Sequence, residues 1–286
     1  MDISVVVPFY KGNQYMQQLF GVMRRNAACA QELQIELLLV NDSPDTAVVY
    51  DPAWVAGFSL RIIENPHNLG IHGSRIHGIQ EAKGTFVQML DQDDLLADDA
   101  LLSQFETIGD RDIVVCNGED QGGPHPGVLY TSESQQRMVM ELRYYYTIGC
   151  MITSPGQCLI RRSAFPDCWL AEPIHNNGSD DLLLWLLMLN DGSRWCINPR
   201  VLYTHVITGI NLSSDFYRIQ KSAFEVKDFM KSHGMLTQKQ ERQFLRRFKM
   251  REEYQCKGKH RKLWAMVCNP DLSWDLIVKK IRGRMD

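Results

Sequence analysis

The chain has 286 residues, of which 44% are hydrophobic and 23% are charged, so it can form one large domain or one domain with a smaller appendage. Its formal net charge of −3 argues against a nucleic-acid-binding protein. The eight cysteines form no C-x-x-C pair, which argues against a disulfide framework. The longest apolar run, residues 182–189, is far shorter than the roughly 18 residues of a membrane span, which argues against a transmembrane protein.

In the first half of the chain, short β-rich runs alternate with segments of helical spacing. The runs cover residues 3–9, 35–40, 60–63, 86–90 and 113–116. This alternation predicts βαβ units and a largely parallel sheet, whose ligand crevice lies at the carboxyl ends of the strands. Because residues 8–10, 41–43 and 91–94 follow three of these strands, we expect them to form one site.

The second half of the chain shows a different pattern. Residues 120–127 are rich in Gly and Pro and predict a loop or hairpin, whereas residues 157–161 and 195–201 predict further strands. Residues 179–189 are apolar on all sides of a helix, which predicts a buried helix. Beyond Phe216 the chain has helical patterns with one charged face.

Three carboxylates, those of Asp91, Asp93 and Asp94, follow the predicted strand 86–90 within four residues. A divalent cation, Mn²⁺ or Mg²⁺, would relieve their repulsion, with ligands from one or two carboxylates and the rest from phosphates and water. The alternative is a solvated acidic turn that caps the next helix. The position at the carboxyl edge of the sheet favours the metal site.

Several segments, taken in chain order, resemble the family 2 inverting glycosyltransferases of GT-A fold. They are V-V-V-P-F-Y-K-G at 5–12, V-N-D-S-P-D at 40–45, N-P-H-N-L-G at 65–70, S-R-I-H-G-I at 74–79, A-K-G at 82–84 and L-D-Q-D-D at 90–94. The resemblance covers residues 3–215 and implies an α/β fold with a Rossmann-like, mostly parallel sheet flanked by helices. It implies a GT-A catalytic domain over residues 1–215, with a nucleotide-sugar-binding half at 1–117 and an acceptor-side half at 118–215, followed by a helical, basic extension over 216–286.

The same resemblance implies which side chains bind the nucleotide-sugar donor. Pro8, Tyr10 and Asp42 fall where the family holds the nucleotide base, and Arg75 falls at a base or phosphate contact. The family's D-x-D motif, which binds the ribose and the cation bridging the diphosphate, falls on Asp91, Gln92 and Asp93. Asn41 and Ile76 depart from the Asp and Asn that are usual in the family, which affects the nucleotide more than the fold.

Residues Ser179, Asp180 and Asp181 open the predicted buried helix. Direct displacement at a sugar's anomeric carbon needs a base within hydrogen-bonding reach of the acceptor hydroxyl. The resemblance places the family's E-D motif on Asp180 and Asp181, with Asp181 as the catalytic base. The alternative is ordinary helix-start chemistry, a Ser N-cap followed by acids. The helix dipole would lower the pKa of Asp181 and burial would raise it, and the sequence leaves the sign open.

Two later features complete the predicted site. His205 follows a predicted strand, and in many GT-A enzymes a late His completes the metal site or contacts the diphosphate. We therefore expect Asp93, Asp94 and His205 to hold the cation, with a packed or surface His205 as the alternative. Asn211, Ser213 and Ser214 are candidates to close over the phosphates, or are ordinary loop residues.

The charge of the chain is divided unevenly. From residue 239 onward there are 14 Lys and Arg against 6 Asp and Glu, a net charge of +8, whereas residues 1–238 carry 17 against 28, a net charge of −11. Aromatic and aliphatic residues lie between the cations of the tail, as in amphipathic helices on an anionic membrane surface. The alternative is packing on the catalytic domain, which we favour for residues 216–254, and we favour the membrane surface for residues 257–284. We expect a cytoplasmic protein, peripheral at the inner face of the plasma membrane.

The resulting hypothesis is transfer of a sugar, UDP-hexose being the expected donor, to a hydroxyl of a glycan or lipid-linked acceptor by metal-assisted direct displacement. A sugar-phosphate nucleotidyltransferase is the nearest alternative, but it should have a Gly-rich basic loop where this chain has residues 8–12. A nicotinamide dehydrogenase would have G-x-G-x-x-G there. A non-catalytic nucleotide-binding member of the family is the third possibility, and it predicts damaged acidic motifs, whereas Asp93, Asp94 and Asp181 are present.

Overall fold

The computed structural model describes residues 1–123, 126–208, 215–256 and 258–285, and it describes no side chains between 254 and 260. The strands are β1 (Ile3–Phe9), β2 (Ile35–Asn41), β3 (Ser59–Glu64), β4 (Phe86–Met89), β5 (Leu95–Leu96), β6 (Ile113–Gln121), β7 (Gly127–Val128), β8 (Cys158–Arg161) and β9 (Trp195–Val206). The α-helices are α1 (Met16–Cys29), α2 (Gly70–Glu81), α3 (Ala100–Ile108), α4 (Glu133–Gln136), α5 (Leu142–Thr147), α6 (Asp167–Ala171), α7 (Asp180–Asn190), α8 (Phe216–Ser232), α9 (Gln238–Cys256), α10 (Gly258–Cys268) and α11 (Pro270–Arg282). The predicted phosphate loop residues Asn211, Ser213 and Ser214 lie outside the described residues.

The strands form one sheet in the order β3-β2-β1-β4-β8-β6-β9-β5, with β7 paired to β6. The pairs β1–β2, β2–β3, β1–β4 and β6–β9 are parallel. The strand β8 is antiparallel to both β4 and β6, and β5 is antiparallel to β9. The prediction of an α/β protein with a mostly parallel sheet is confirmed.

Alternation along β1 explains why helices cover both faces of the sheet. Val5 and Val7 belong to one buried cluster with the apolar residues of α1 and α3, whereas Val6 belongs to the other, with α2 and α7. Successive strand residues point to opposite faces, so an almost continuously apolar strand requires a helix layer on each side. This arrangement directs the carboxyl ends of β1, β2 and β4 toward one edge.

Two strands extend further than the sequence predicts. The strand β6 continues from the predicted end at Cys116 to Gln121, and there it pairs with β7 as the predicted hairpin. The strand β9 continues from Val201 to Val206 and pairs with both β6 and β5. Both extensions contain polar residues, which backbone hydrogen bonds hold in the strands. The pattern of hydrophobic residues alone therefore could not predict the ends of these two strands.

The C-terminal helices pack on the rest of the protein. Val226 and Met230 of α8 and Phe244 and Phe248 of α9 belong to the same buried cluster as α7. Helix α11 packs against α4 and α5. Within the described part of the chain, no helix has both the length and the hydropathy to cross a bilayer.

Because α2 packs closely on the sheet, adding a side chain at Gly78 should destabilise the protein. A Cβ at Gly78 would lie 2.4 Å from a methyl carbon of Val6 and 2.9 Å from one of Val40. Gly78→Ala is therefore expected to lower the free energy of unfolding by about 1–3 kcal/mol, although Ala favours a helix interior. At Gly21 in α1 the nearest atom is an Arg25 nitrogen at 3.2 Å, which can move away.

The matched variant Gly21→Ala should therefore raise stability, by up to about 1 kcal/mol. Urea unfolding of both variants measures the difference. Equal effects of the same sign at the two glycines would contradict the packing argument.

Candidate active site

The carboxyl ends of the central strands open into a cavity of about 790 Å³. Among the predicted site residues, its lining contains Pro8, Tyr10, Asp42, Arg75, Asp91, Gln92, Asp93, Asp180, Asp181 and His205. Among the predicted site residues that the structure describes, only Asp94 is absent from this lining. Parallel topology explains this juxtaposition, since clusters far apart in sequence follow neighbouring strands.

The turn after β1 is held by Gln92. Its Oε1 accepts a hydrogen bond from the Tyr10 backbone N–H at 3.1 Å, and its Nε2 donates to the Tyr10 carbonyl at 3.3 Å. A Cβ at Gly12 would lie 2.1 Å from this Oε1, so a larger residue there would displace the Gln92 side chain. Gln92 therefore positions the turn, which presents the half-exposed Tyr10 ring beside the cavity.

Asp42 organises the segment that leads into α2. Its Oδ1 accepts hydrogen bonds from the Asn65 amide at 2.8 Å and from the Leu69 N–H at 2.6 Å, and its Oδ2 accepts from the Gly70 N–H at 3.0 Å. A carboxylate at a helix N-terminus satisfies free backbone donors and interacts favourably with the helix dipole. Asp42 thus holds the N-terminus of α2 in place and also lines the cavity.

Arg75 connects the acidic turn after β4 to the start of α7. Its Nη2 donates to Asp91 at 2.6 Å and its Nη1 donates to Asp180 at 2.6 Å. Arg75 and Asp180 are only 4% and 2% exposed, so their charges depend on each other for compensation. Burial opposes ionisation of Asp180, but the charges of Arg75 and then His72 outweigh it, and its pKa lies below the usual range.

Asp181 lies next to this ion pair with a different environment. Its Oδ1 accepts a hydrogen bond from the Leu182 N–H at 2.7 Å, and the Cys150 Sγ lies 3.7 Å from its Oδ2. Burial, followed by the neighbouring Asp180 carboxylate, raises the pKa of Asp181 to about 7. The pKa values of the adjacent Asp180 and Asp181 are therefore shifted in opposite directions, because Arg75 binds Asp180 and not Asp181. A carboxylate with a pKa near neutrality suits proton transfer.

Asp93 and His205 face the same part of the cavity. Burial and then the charge of Asp91 raise the pKa of Asp93, while His205 acts in the opposite direction. The Nδ1 of His205 lies 3.0 Å from a carboxylate oxygen of Asp120. A carboxylate on one ring nitrogen orients the imidazole and leaves Nε2 for a metal or phosphate ligand.

Asp94 does not face the cavity. It is 2% exposed, and its carboxylate accepts hydrogen bonds from the Tyr203 hydroxyl and, at 2.9 Å, from the Val206 N–H. Burial, and then the charge of Asp91, raise its pKa well above the usual range. The metal-ligand prediction for Asp94 does not fit this position, where the side chain joins the acidic turn to β9.

The remaining residues fit a divalent cation only in part. Asp93 and His205 supply an oxygen and a nitrogen, whereas Asp91 is already paired with Arg75. In the described part of the chain there is no group of three or more His, Cys, Asp and Glu side chains that could hold a metal ion. Cations that act with nucleotides commonly take one or two protein ligands and complete their coordination with phosphate and water oxygens. The Asp93 and His205 pair is of that kind.

Some residues of the cavity wall were not predicted from the sequence. Thr153 and Ser154 lie before β8, and Asn177 precedes α7. Arg218 and Ile219 come from α8, in the helical extension predicted to follow the catalytic domain. No sequence motif marks these residues, and the packing of α8 on α7 is what brings Arg218 and Ile219 to the cavity.

A family model described as Glycosyl transferase family 2 matches residues 4–169, which is more than half of the chain. The putative glycosyltransferase EpsH of Bacillus subtilis (strain 168) is 30% identical over 122 residues, which are 40% of this chain and 33% of EpsH. The minor teichoic acid biosynthesis protein GgaB of the same organism is 28% identical over 99 residues, which are 34% of this chain and 11% of GgaB. The chain thus matches less than half the length of these curated relatives.

Solved structures share the fold at low identity. The structure of S. aureus TarS 1-349 in complex with UDP-GlcNAc superposes with a TM-score of 0.58 at 16% identity, covering 93% of this chain and 80% of that one. The mannosyltransferase PcManGT from Pyrobaculum calidifontis, in complex with GDP-Man and Mn²⁺, gives 0.58 at 14% identity, covering 99% and 85%. Both the fold prediction and the family resemblance are confirmed. The chain belongs to glycosyl transferase family 2, a family of transferase enzymes, and has the GT-A fold.

Proposed function

We propose that this protein transfers a sugar from a nucleotide-sugar donor, a UDP-hexose, to a hydroxyl of a glycan or lipid-linked acceptor, with inversion at the anomeric carbon. The observation that carries the proposal is the position of Asp181, a carboxylate with a pKa of about 7 in the same cavity as the strand-end residues Tyr10, Asp42 and Asp93. We place the reaction in the cytoplasm, at the inner face of the plasma membrane.

The donor would lie along the strand ends. The Tyr10 ring offers an apolar face on which a nucleobase can stack, and Asp93 and His205 lie where a diphosphate and its cation would be bound. A bound Mn²⁺ or Mg²⁺ would stabilise the negative charge of the nucleoside diphosphate as it leaves. Related folds bind UDP-GlcNAc and GDP-Man, and the choice of uridine rests on its frequency in the family.

The acceptor would approach from α7. Asp181 accepts the proton of its hydroxyl while the oxygen forms a bond to the anomeric carbon and the bond to the diphosphate oxygen breaks. Attack from the face opposite the leaving group inverts the configuration and needs no covalent enzyme intermediate. Arg75 keeps Asp180 ionised beside Asp181, and after burial this neighbouring charge is the largest cause that raises the pKa of the base.

A thermal-unfolding screen against nucleoside diphosphates, each with and without Mn²⁺, tests the donor site. A ligand at 100 times its dissociation constant should stabilise the protein by about 2.7 kcal/mol. We expect the largest shift with UDP and Mn²⁺, and loss of the Mn²⁺-dependent part in Asp93→Asn. Asp98→Asn is the matched control, because Asp98 is exposed and paired with Arg25 in the turn just after the acidic cluster.

The absence of a shift with every nucleotide would overturn the proposed donor site. A shift that Mn²⁺ does not change would overturn the roles of Asp93 and His205 alone. When a donor binds, NMR of the anomeric proton in the product reports the configuration, and retention would exclude direct displacement.

A further inference from the structure

Helices α10 and α11 and the turn after α11 expose several large apolar side chains, which together we call the outer apolar face. It consists of Leu263, Trp264, Val267, Trp274, Ile277, Ile281 and Met285. The two tryptophans are 67% and 58% exposed. Isolated apolar residues are normal on a protein surface, but several large ones on two successive helices, with some spaced along one side of a helix, indicate a binding surface.

Contacts of α11 with the rest of the protein keep its apolar side chains facing outward. Trp274, Ile277, Ile281 and Met285 follow one another at intervals of three and four residues, so they form one stripe along the helix and the turn after it. A side of α11 next to this stripe is anchored, because the buried Asp275 pairs with Arg143.

Two further contacts fix the end of the helix. The Ser132 hydroxyl donates a hydrogen bond to the Arg282 carbonyl, and the Arg282 guanidinium lies 2.7 Å from Glu141. The stripe therefore cannot turn inward without breaking these contacts.

The positive charge around the outer apolar face favours an anionic partner. The exposed cations Arg261 on α10, Lys280 on α11 and Arg284 just after α11 belong to a stretch from residue 239 that carries a net charge of +8. Tryptophan favours the boundary between water and hydrocarbon, and cations beside an apolar stripe are attracted to anionic headgroups. A symmetric contact between two copies of this face would instead bring like charges together.

We infer that the outer apolar face docks on the surface of a bilayer that contains anionic lipids. The tryptophans and aliphatic residues enter the headgroup boundary, and Arg261, Lys280 and Arg284 contact lipid phosphates. This attachment is independent of the proposed transfer reaction, since none of its residues lines the cavity.

Co-sedimentation of the full chain with vesicles tests the inference. Vesicles of phosphatidylcholine with phosphatidylglycerol should bind it at least tenfold more tightly than vesicles of phosphatidylcholine alone. Added salt should weaken the binding, because screening shortens the reach of charges from about 10 Å at 0.1 M to about 3 Å at 1 M. Tryptophan emission should shift to the blue on binding.

Variants separate the two contributions. Trp264→Ser with Trp274→Ser should lower vesicle affinity at least tenfold and remove the blue shift, whereas the control Val49→Ser with Val201→Ser changes exposed apolar residues elsewhere and should have no effect. Arg261→Gln with Arg284→Gln should reduce the preference for anionic vesicles with an unchanged unfolding temperature.

Three results would overturn the inference. They are no binding to either vesicle, binding that the tryptophan variant retains, and self-association of the wild type by light scattering without vesicle binding. The last would show that a second copy covers the face.

Discussion

Asp181→Asn should lower kcat by about 10²–10⁴-fold, the range expected when a general base is removed. The amide occupies the same space and still accepts the hydrogen bond from the Leu182 N–H, but it cannot take a proton. The KM for the donor should change little, because Asp181 acts on the acceptor hydroxyl. Initial rates at saturating donor and acceptor measure the effect.

The pH dependence gives a second readout. Burial and the Asp180 charge raise the pKa of Asp181 to about 7, and only the ionised form is a base. The wild-type kcat/KM should therefore rise with pH and level off above about pH 7, and the residual activity of Asp181→Asn should lack this rise.

Stability distinguishes a chemical defect from unfolding. The folded-state pKa of Asp181 lies above its ordinary value, so ionisation destabilises the fold as the pH rises through about 7. Asp181→Asn should consequently unfold no earlier than the wild type at pH 8. The control is Asp191→Asn, which makes the same change at the exposed far end of α7 and should leave kcat unaltered. Full activity in Asp181→Asn would exclude this residue as the base.

Arg75→Met should lower the free energy of unfolding by about 3–5 kcal/mol, the cost of leaving a buried charge without its partner. The change removes the guanidinium that contacts both Asp91 and Asp180, and Asp180 is almost completely buried. Arg75→Lys should have an intermediate effect, because a single ammonium group does not reproduce two separate contacts. Urea unfolding at pH 7 measures both variants.

The matched control is Arg25→Met, which breaks an exposed ion pair with Asp98 and should cost only about 0–1 kcal/mol. Acidification provides a sign test. The pKa of Asp180 lies below its ordinary value, so its contribution is present above that value and is lost as the pH falls through the lower one. The difference between the wild type and Arg75→Met should shrink in that acidic range. Equal costs for the two Arg→Met variants would contradict the buried bridge.

The sequence was sufficient to predict which strand ends meet. Apolar runs of strand length separated by helical segments leave few topologies for the first four strands, and parallel pairing then brings Tyr10, Asp42 and Asp93 to one edge. The opposite directions of Asp93 and Asp94 could not be predicted in the same way. They are decided by Tyr203 and Val206, which are 109 and 112 residues away from Asp94 in the chain.

Arg75 illustrates a second limit of sequence reasoning. Its place in the family pattern predicts a contact with the donor, but its two partners in the structure are protein carboxylates from different parts of the chain. The pKa of Asp181 was open for the same reason, since neither its burial nor the Arg75–Asp180 pair is visible in local pattern. Arg218 was missed because helix packing, rather than a motif, brings it to the cavity.

The contribution of α8 to the cavity wall limits how the protein can be recombined with its relatives. A chimera joined at residue 215 would take the strand-end residues from one parent and Arg218 and Ile219 from the other. Such an exchange would alter the wall of the reaction chamber as well as the outer surface. Crossovers placed after Ser232, the end of α8, would keep all the residues that line the chamber and exchange α9, α10 and α11.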